Sequence, residues 1–175
     1  MTRRQHDFYP TPSTEIERLL PRLLLAPNDI IREPCCGDGA IAQPLRSHGY
    51  TVLPSDIDQC QAYADEYWDA TSPLMWSVAE RCDWVISNPP FNQAPEIIPP
   101  AYENARQGIV MLLRLSYQEP CQNRAQWLAE HAQGLTIAYP PSRLSFTGDG
   151  KTDSVATAWF IWERGRKTLP TFLYL

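Results

Sequence analysis

The sequence contains no long apolar run. Its longest stretches, such as Leu23-Leu24-Leu25-Ala26, fall well short of the ~18 residues that a membrane span requires. Behind Arg3 and Arg4 there is no apolar segment of the kind that marks a secretory leader. The five cysteines are odd in number and show no C-x-x-C spacing, which argues against a disulfide framework and against a zinc ribbon. His6, His48 and His131 are scattered without a pairing motif, so no metal site is expected. These features together predict a cytoplasmic chain with reduced thiols. A net charge of -5 excludes a polycation that coats nucleic acid, although the two ends are slightly basic and the middle is acidic.

What the sequence has in excess is proline, 17 in 175 residues, so its segments should be short and sharply bounded. With 43% hydrophobic residues the chain can bury a core, and its length suits a single domain over residues 1–175. Thr14-Glu15-Ile16-Glu17 has the form of a capping box before Leu19, Leu20, Leu23 and Leu24, with a break expected at Pro21. Strands are predicted at 29–33, 50–53, 84–86, 109–115, 135–139 and 155–162. Helices are predicted at 38–47, 58–68, 95–107 and 119–132. This alternation implies an α/β fold with a mostly parallel central sheet and helices on its faces. Ligands of such sheets bind beyond the carboxyl ends of the strands. Three unusual short sequences stand there, after Glu33, Leu53 and Ile86.

The first, Gly37-Asp38-Gly39-Ala40-Ile41-Ala42, fits G-x-G-x-x-A between a strand and a helix, where glycines let backbone amides approach a ligand. Asp56 ends the second strand. Its carboxylate suits two ribose hydroxyls, or else caps the turn that follows, with Asp58 as competitor. An acid at Glu33, before Pro34 and the glycines, would repel a pyrophosphate but suit a ligand bearing an ammonium group. That favours S-adenosyl-L-methionine over a dinucleotide. Asp69 reads either as a surface residue or as an acceptor for an adenine amino group. Cys35 and Cys36 read as small packing residues beside the loop rather than as nucleophiles.

The third sequence, Ser87-Asn88-Pro89-Pro90-Phe91, follows an apolar strand. Paired prolines fix φ and hold the preceding residue extended, so Asn88 is presented rigidly. Its carboxamide oxygen and the Pro89 carbonyl could both accept from one planar amino group, while Phe91 offers a face for a base taken out of its helix. A proline-rich turn with a buried Phe is the plainer alternative.

With these motifs in this order, the chain resembles the amino-group DNA methyltransferases, in particular the small adenine-N6 enzymes of phages and prophages. Asp7-Phe8-Tyr9-Pro10-Thr11-Pro12 looks like that family's N-terminal cofactor motif, and Glu33-Pro34-Cys35-Cys36-Gly37-Asp38-Gly39 like its glycine motif. The resemblance implies a Rossmann-like class I methyltransferase fold and transfer of a methyl group from S-adenosyl-L-methionine to adenine N6 in DNA. It implies that Asn88, Pro89, Pro90 and Phe91 are catalytic, and that Tyr9 and Thr11 meet the methionine end of the cofactor. Glu33, Pro34, Cys35, Gly37, Gly39, Asp56, Ile57, Asp69 and Asn88 would complete the cofactor site. The region from Arg143 to Trp162 resembles the family's late strand-and-loop segment. Substrate contacts are expected from Phe91, Arg143 and Lys151, the last in a Gly-rich loop whose Ser145 breaks the P-loop pattern. Larger members carry a target-recognition domain, for which no sequence remains, so DNA recognition is expected to be relaxed or supplied by an accessory protein or oligomer. Methylation of a protein glutamine amide or an RNA adenine stays open. So do a non-catalytic cofactor- or DNA-binding module and a dinucleotide oxidoreductase.

Overall fold

The structure of the protein, a computed structural model, describes residues 11–145 and 155–175. Eight strands form one sheet: β1 (Ile30–Glu33), β2 (Thr51–Asp56), β3 (Glu66–Tyr67), β4 (Trp84–Ser87), β5 (Gly108–Arg114), β6 (Leu135–Tyr139), β7 (Thr157–Glu163) and β8 (Thr171–Tyr174). Their order is β3-β2-β1-β4-β5-β7-β6-β8. All neighbours pair in parallel except β7, which runs antiparallel to both β5 and β6. From β1 the chain moves outward through β2 to β3, then crosses back to β4 on the other side. The carboxyl ends of β1 and β4 therefore meet where the winding reverses.

Alternate residues of these strands feed two cores, one on each face. Val85, Ile109, Met111 and Leu113 pack with Met75 and Trp76 of α3 (Pro73–Val78) and with Ile97, Ile98 and Ala101 of α4 (Ala94–Asn104). Trp127 and Leu128 of α5 (Gln122–Glu130) lie against the same core. On the other face Ile31, Trp84, Ile86, Val110 and Leu112 pack with Ile16 and Leu19 of α1 (Ser13–Leu19) and Ala42 and Leu45 of α2 (Ala42–Ser47). Covering on both sides explains why the central strands read as continuous apolar runs. Each large side chain so buried contributes about 1.5–3 kcal/mol. Among the described residues no helix is long and apolar enough to cross a membrane.

Several local expectations need correction. The predicted helix over 58–68 is absent: Asp58 Oδ1 accepts from the Cys60 N–H at 2.9 Å in a local turn, and Glu66–Tyr67 pair with β2 instead. The second strand continues through Pro54 to Asp56. The Pro54 carbonyl accepts from the Asp65 N–H at 3.0 Å on the β3 side, so its nitrogen faces that side too. Pairing with β3 begins only at Ser55, and no ladder bond is lost. The capping box does not form, because Pro12 holds the N-cap position of α1 and Thr14 lies inside the first turn. Helix α2 starts at Ala42 rather than Asp38, the glycine turn taking up the difference. The break at Pro21 is real: α1 gives way to a 3-10 turn over Leu20–Arg22. Helix α4 runs through Pro99 and Pro100 despite their missing donors, held by burial of Ile97, Ile98 and Ala101. Helix α3 and strands β3 and β8 have no counterpart in the sequence reading.

Gly108 opens β5 where β7 crosses closely. A Cβ there would stand 2.3 Å from the Trp162 carbonyl oxygen and 2.8 Å from the Trp84 ring. Gly108→Ala should therefore destabilise the fold by about 1–3 kcal/mol, read as a lower urea midpoint at unchanged slope. An unchanged midpoint would mean that β7 gives way at no cost.

Candidate active site at the carboxyl ends of β1, β2 and β4

The glycine turn follows β1 and is clamped to the end of β2. Gly37 N–H donates to Asp56 Oδ2 at 2.8 Å, Cys36 N–H to the Ser55 carbonyl at 3.0 Å, and Gly39 N–H to the Cys36 carbonyl at 2.9 Å. The other Asp56 oxygen accepts from the Asp58 N–H at 2.9 Å, and the Asp56 carbonyl accepts from the Trp68 N–H at 2.9 Å. Asp56 thus holds the glycine turn, the loop after β2 and the end of β3 in one place. Gly39 has φ +82°, and a Cβ on it would meet the Tyr63 ring at 2.3 Å. Only glycine satisfies both conditions. Tyr63, unremarked in the sequence reading, is the aromatic wall of this turn.

Asn88 stands just beyond β4 and donates from Nδ2 to Thr11 Oγ1 at 3.1 Å, across 77 positions of sequence. Thr11 is buried, so its hydroxyl fixes the rotation of the amide, whose oxygen is turned the other way. The Pro90 carbonyl is engaged by the N–H groups of Gln93 and Ala94, which start α4. The Pro89 carbonyl accepts from no backbone N–H among the described residues. Phe91 is half-buried, and the Arg114 guanidinium carbon lies 4.8 Å from its ring centroid. Register Ser87↔Met111 sets Arg114, three residues further along β5, at the level of this loop.

Electrostatically the site is acidic. Glu33 is buried, and its carboxyl is held well above the usual carboxylate range, first by burial and then by Asp56 and Asp38 nearby. The N–H of Ala42, at the start of α2, and the charge of Arg46 act in the opposite sense. One Glu33 oxygen, Oε2, has no hydrogen-bond partner among the described residues. An orphaned carboxyl oxygen beside two further acids fits a ligand that brings positive charge, and would oppose an anionic one. Burial also pushes the Cys35 thiol up and raises Cys36 to about 12, so neither is a nucleophile at neutral pH. Cys35 lies beside the buried Ser87 side chain, where the turn meets the end of β4.

Of the other residues singled out, Pro34 and Pro89 are buried at strand ends and Ile57 is 49% exposed beside Asp56. Asp69 is exposed, and its Oδ1 accepts from the Thr71 N–H at 2.9 Å and the Thr71 hydroxyl at 2.7 Å, a local turn before α3. Arg143 is exposed beyond β6, three strands from β4. Tyr9 and Lys151 lie outside the described residues. Arg114 went unmarked although its position, a lone charge ending an apolar strand, was a visible signal.

Glu33 yields a pH prediction. Its folded-state pKa is raised, so the native state keeps a proton that the unfolded chain releases above about pH 4.3. Stability therefore falls as pH rises towards the folded-state pKa. Glu33→Gln removes that cost, so its gain in melting temperature over the parent should grow from about pH 5 to about pH 8. An equal difference at both values would show that Glu33 does not titrate anomalously.

No family model matches the sequence, and no curated protein matches it. Solved structures do. A protein from Vibrio vulnificus assigned as a modification subunit of a type I restriction enzyme superposes with a TM-score of 0.67 at 11% identity, covering 95% of this chain and 47% of that one. The chain thus spans about half the length of that subunit. A protein assigned as an RNA methyltransferase from Pyrococcus horikoshii gives 0.65 at 16% identity, covering 94% and 88%. One from Listeria monocytogenes assigned as a class I S-adenosylmethionine-dependent methyltransferase gives 0.58 at 16%, covering 96% and 66%. The sheet order, the glycine turn and these superpositions agree: the chain has the Rossmann-like class I methyltransferase fold.

Proposed function

We propose that the protein transfers a methyl group from S-adenosyl-L-methionine to the N6 amino group of adenine in DNA. The observation that carries the reading is the Asn88 amide, fixed by Thr11 beside the acidic glycine-turn site at the meeting point of β1 and β4. Glu33, with its orphaned oxygen, and the Gly37–Gly39 turn would hold the amino-acid end of the cofactor. Ile57 would cover its adenine. Asp56 would meet the ribose, exchanging one of its two backbone bonds or sharing an oxygen. When bound, the cofactor supplies a methyl group on a positively charged sulfur.

The rest falls to the chain's own residues. The Asn88 oxygen and the Pro89 carbonyl accept the two hydrogens of the target amine. That aims the nitrogen lone pair at the methyl group and stabilises positive charge as it develops on nitrogen. Phe91 supplies the stacking face for an extruded base. No general base is needed, since the proton leaves after nitrogen becomes cationic. Residues 1–175 act as one catalytic unit, and recognition of duplex sequence is assigned to a partner protein or a second copy. The likeness to a protein assigned as a restriction-modification subunit, twice as long, supports that division.

Purified protein incubated with labelled S-adenosylmethionine and DNA, RNA or protein should label DNA and yield N6-methyladenine on digestion. Label in protein glutamine or in RNA alone would replace the substrate assignment. Absence of cofactor binding by calorimetry would remove the activity itself. Asn88→Ala should keep cofactor affinity within a few-fold and lose about 100-fold or more in kcat.

A further inference from the structure

We propose that Arg114 is a substrate-positioning residue that grips a phosphate of the nucleic acid beside the target base. The inference rests on the nucleic-acid reading above and adds the group that holds the strand. Strand β5 is apolar throughout except for this last residue, which leaves the sheet beside the loop bearing Asn88 and Phe91. Its guanidinium rests on the Phe91 ring at 4.8 Å.

The pairing of this cation is unlike that of its counterparts. Four described arginines are not exposed: Arg32, Arg114, Arg124 and Arg164. Arg32 donates to the Glu80 carbonyl, Arg124 to those of Ser116 and Glu119, and Arg164 to that of Tyr102 while pairing with Glu103. Arg114 alone among them makes neither a hydrogen bond nor an ion pair with any described residue. Its Nε, like those of Arg32 and Arg124, is buried without an acceptor among them, but it has no other polar contact to compensate. A buried donor left unpaired is costly, and an incoming acceptor would recover that cost.

The backbone that carries it is braced. Leu115 N–H donates to the Ala156 carbonyl at 3.0 Å, and Arg124 holds the Ser116–Glu119 turn from behind at 3.0 and 3.1 Å. Arg124 also lies over Tyr117, whose ring packs on Phe160 and Trp162. The guanidinium is thus a planar fork on a fixed root, aimed at the ring where the base would stack. A phosphodiester flanks every nucleotide and offers two oxygens to such a fork. A glutamine side chain in a peptide brings no anion at a fixed distance.

The test compares the parent with Arg114→Gln and Arg114→Lys on a DNA oligonucleotide between about 50 and 200 mM salt. Both KM and the dissociation constant, by fluorescence anisotropy, should rise about tenfold in the Gln variant, with kcat within twofold and cofactor affinity unchanged. The slope of log affinity against log salt should fall by about 0.7–0.9, the value for one phosphate contact, and the Lys variant should restore the slope. Unchanged affinity and slope in the Gln variant overturn the proposal while the methyltransferase reading stands. A joint loss of kcat, cofactor affinity and melting temperature in both variants overturns it in favour of a packing role against Phe91. A parent that neither binds nor methylates nucleic acid overturns both.

Discussion

The Asp56 carboxylate is the interaction on which the site depends. With one oxygen it receives the Gly37 N–H and with the other the Asp58 N–H, while its own carbonyl receives the Trp68 N–H. Three chain segments, separated by up to about thirty residues, are held by one side chain and its peptide unit. Charged acceptors make hydrogen bonds roughly twice as strong as neutral ones, so this clamp can bear the entropy of ordering a glycine turn. The turn must be ordered before anything else in the site has meaning, since Gly39 leaves room for Tyr63 and the helix that covers Glu33 begins just after it.

That clamp also brings acids together. Asp56 and Asp38 raise the cost of ionising Glu33, which is buried between the sheet and α2. The fold tolerates this because the start of α2 faces Glu33: its backbone N–H at Ala42 favours the charged form even as burial opposes it. The result is a cluster of acids that the protein's own groups only partly balance, a cost in stability that an added positive charge would offset. On the far side of the meeting point, the arginine on Phe91 presents the opposite imbalance. One fold thus carries an acidic half on β1 and β2 and a cationic edge on β5.

Much of this was legible in the sequence, and the reason differs by element. The glycine motif and Asn88-Pro89-Pro90-Phe91 were readable because each combines residues whose backbone restrictions are local, positive φ at glycine and fixed φ at proline, and Asp56 because it ends the second strand. The strands of the central sheet were readable because both their faces are buried, which leaves unbroken apolar runs. The segment 58–68 reads as helix in the sequence but forms a loop and β3, because its turn is set by Asp58 and by a tertiary contact between Tyr63 and Gly39, neither of which has a periodic signature. Strand β8, with Phe172 and Tyr174 exposed, was missed because an edge strand with one open side lacks alternation. The role of Arg143 came from resemblance alone, while Asp69 read from the sequence either as a surface residue or as an acceptor for an adenine amino group. In the structure Asp69 makes a local turn and Arg143 lies three strands away from Asn88.

The antiparallel β7 explains why residues so distant in sequence could share a substrate. A wholly parallel sheet would place the start of every strand at the edge remote from the ligands. Because β7 runs backwards, its first residue, Thr157, pairs with Arg114 at the carboxyl end of β5, and Ala138 near the end of β6 pairs with Trp159. The end of β6, the start of β7 and the end of β5 therefore border the same edge as Asn88. The first third of the chain builds the acidic side of that edge, and the last third is delivered to the other side by one reversed strand. Substitutions could alter the substrate side without disturbing the Asp56 clamp, since no hydrogen bond among the described residues joins Arg114 or Arg143 to the glycine turn. The reversed strand is what lets one sheet hold the acidic glycine-turn site and, on a separately adjustable edge, the residues proposed to meet substrate.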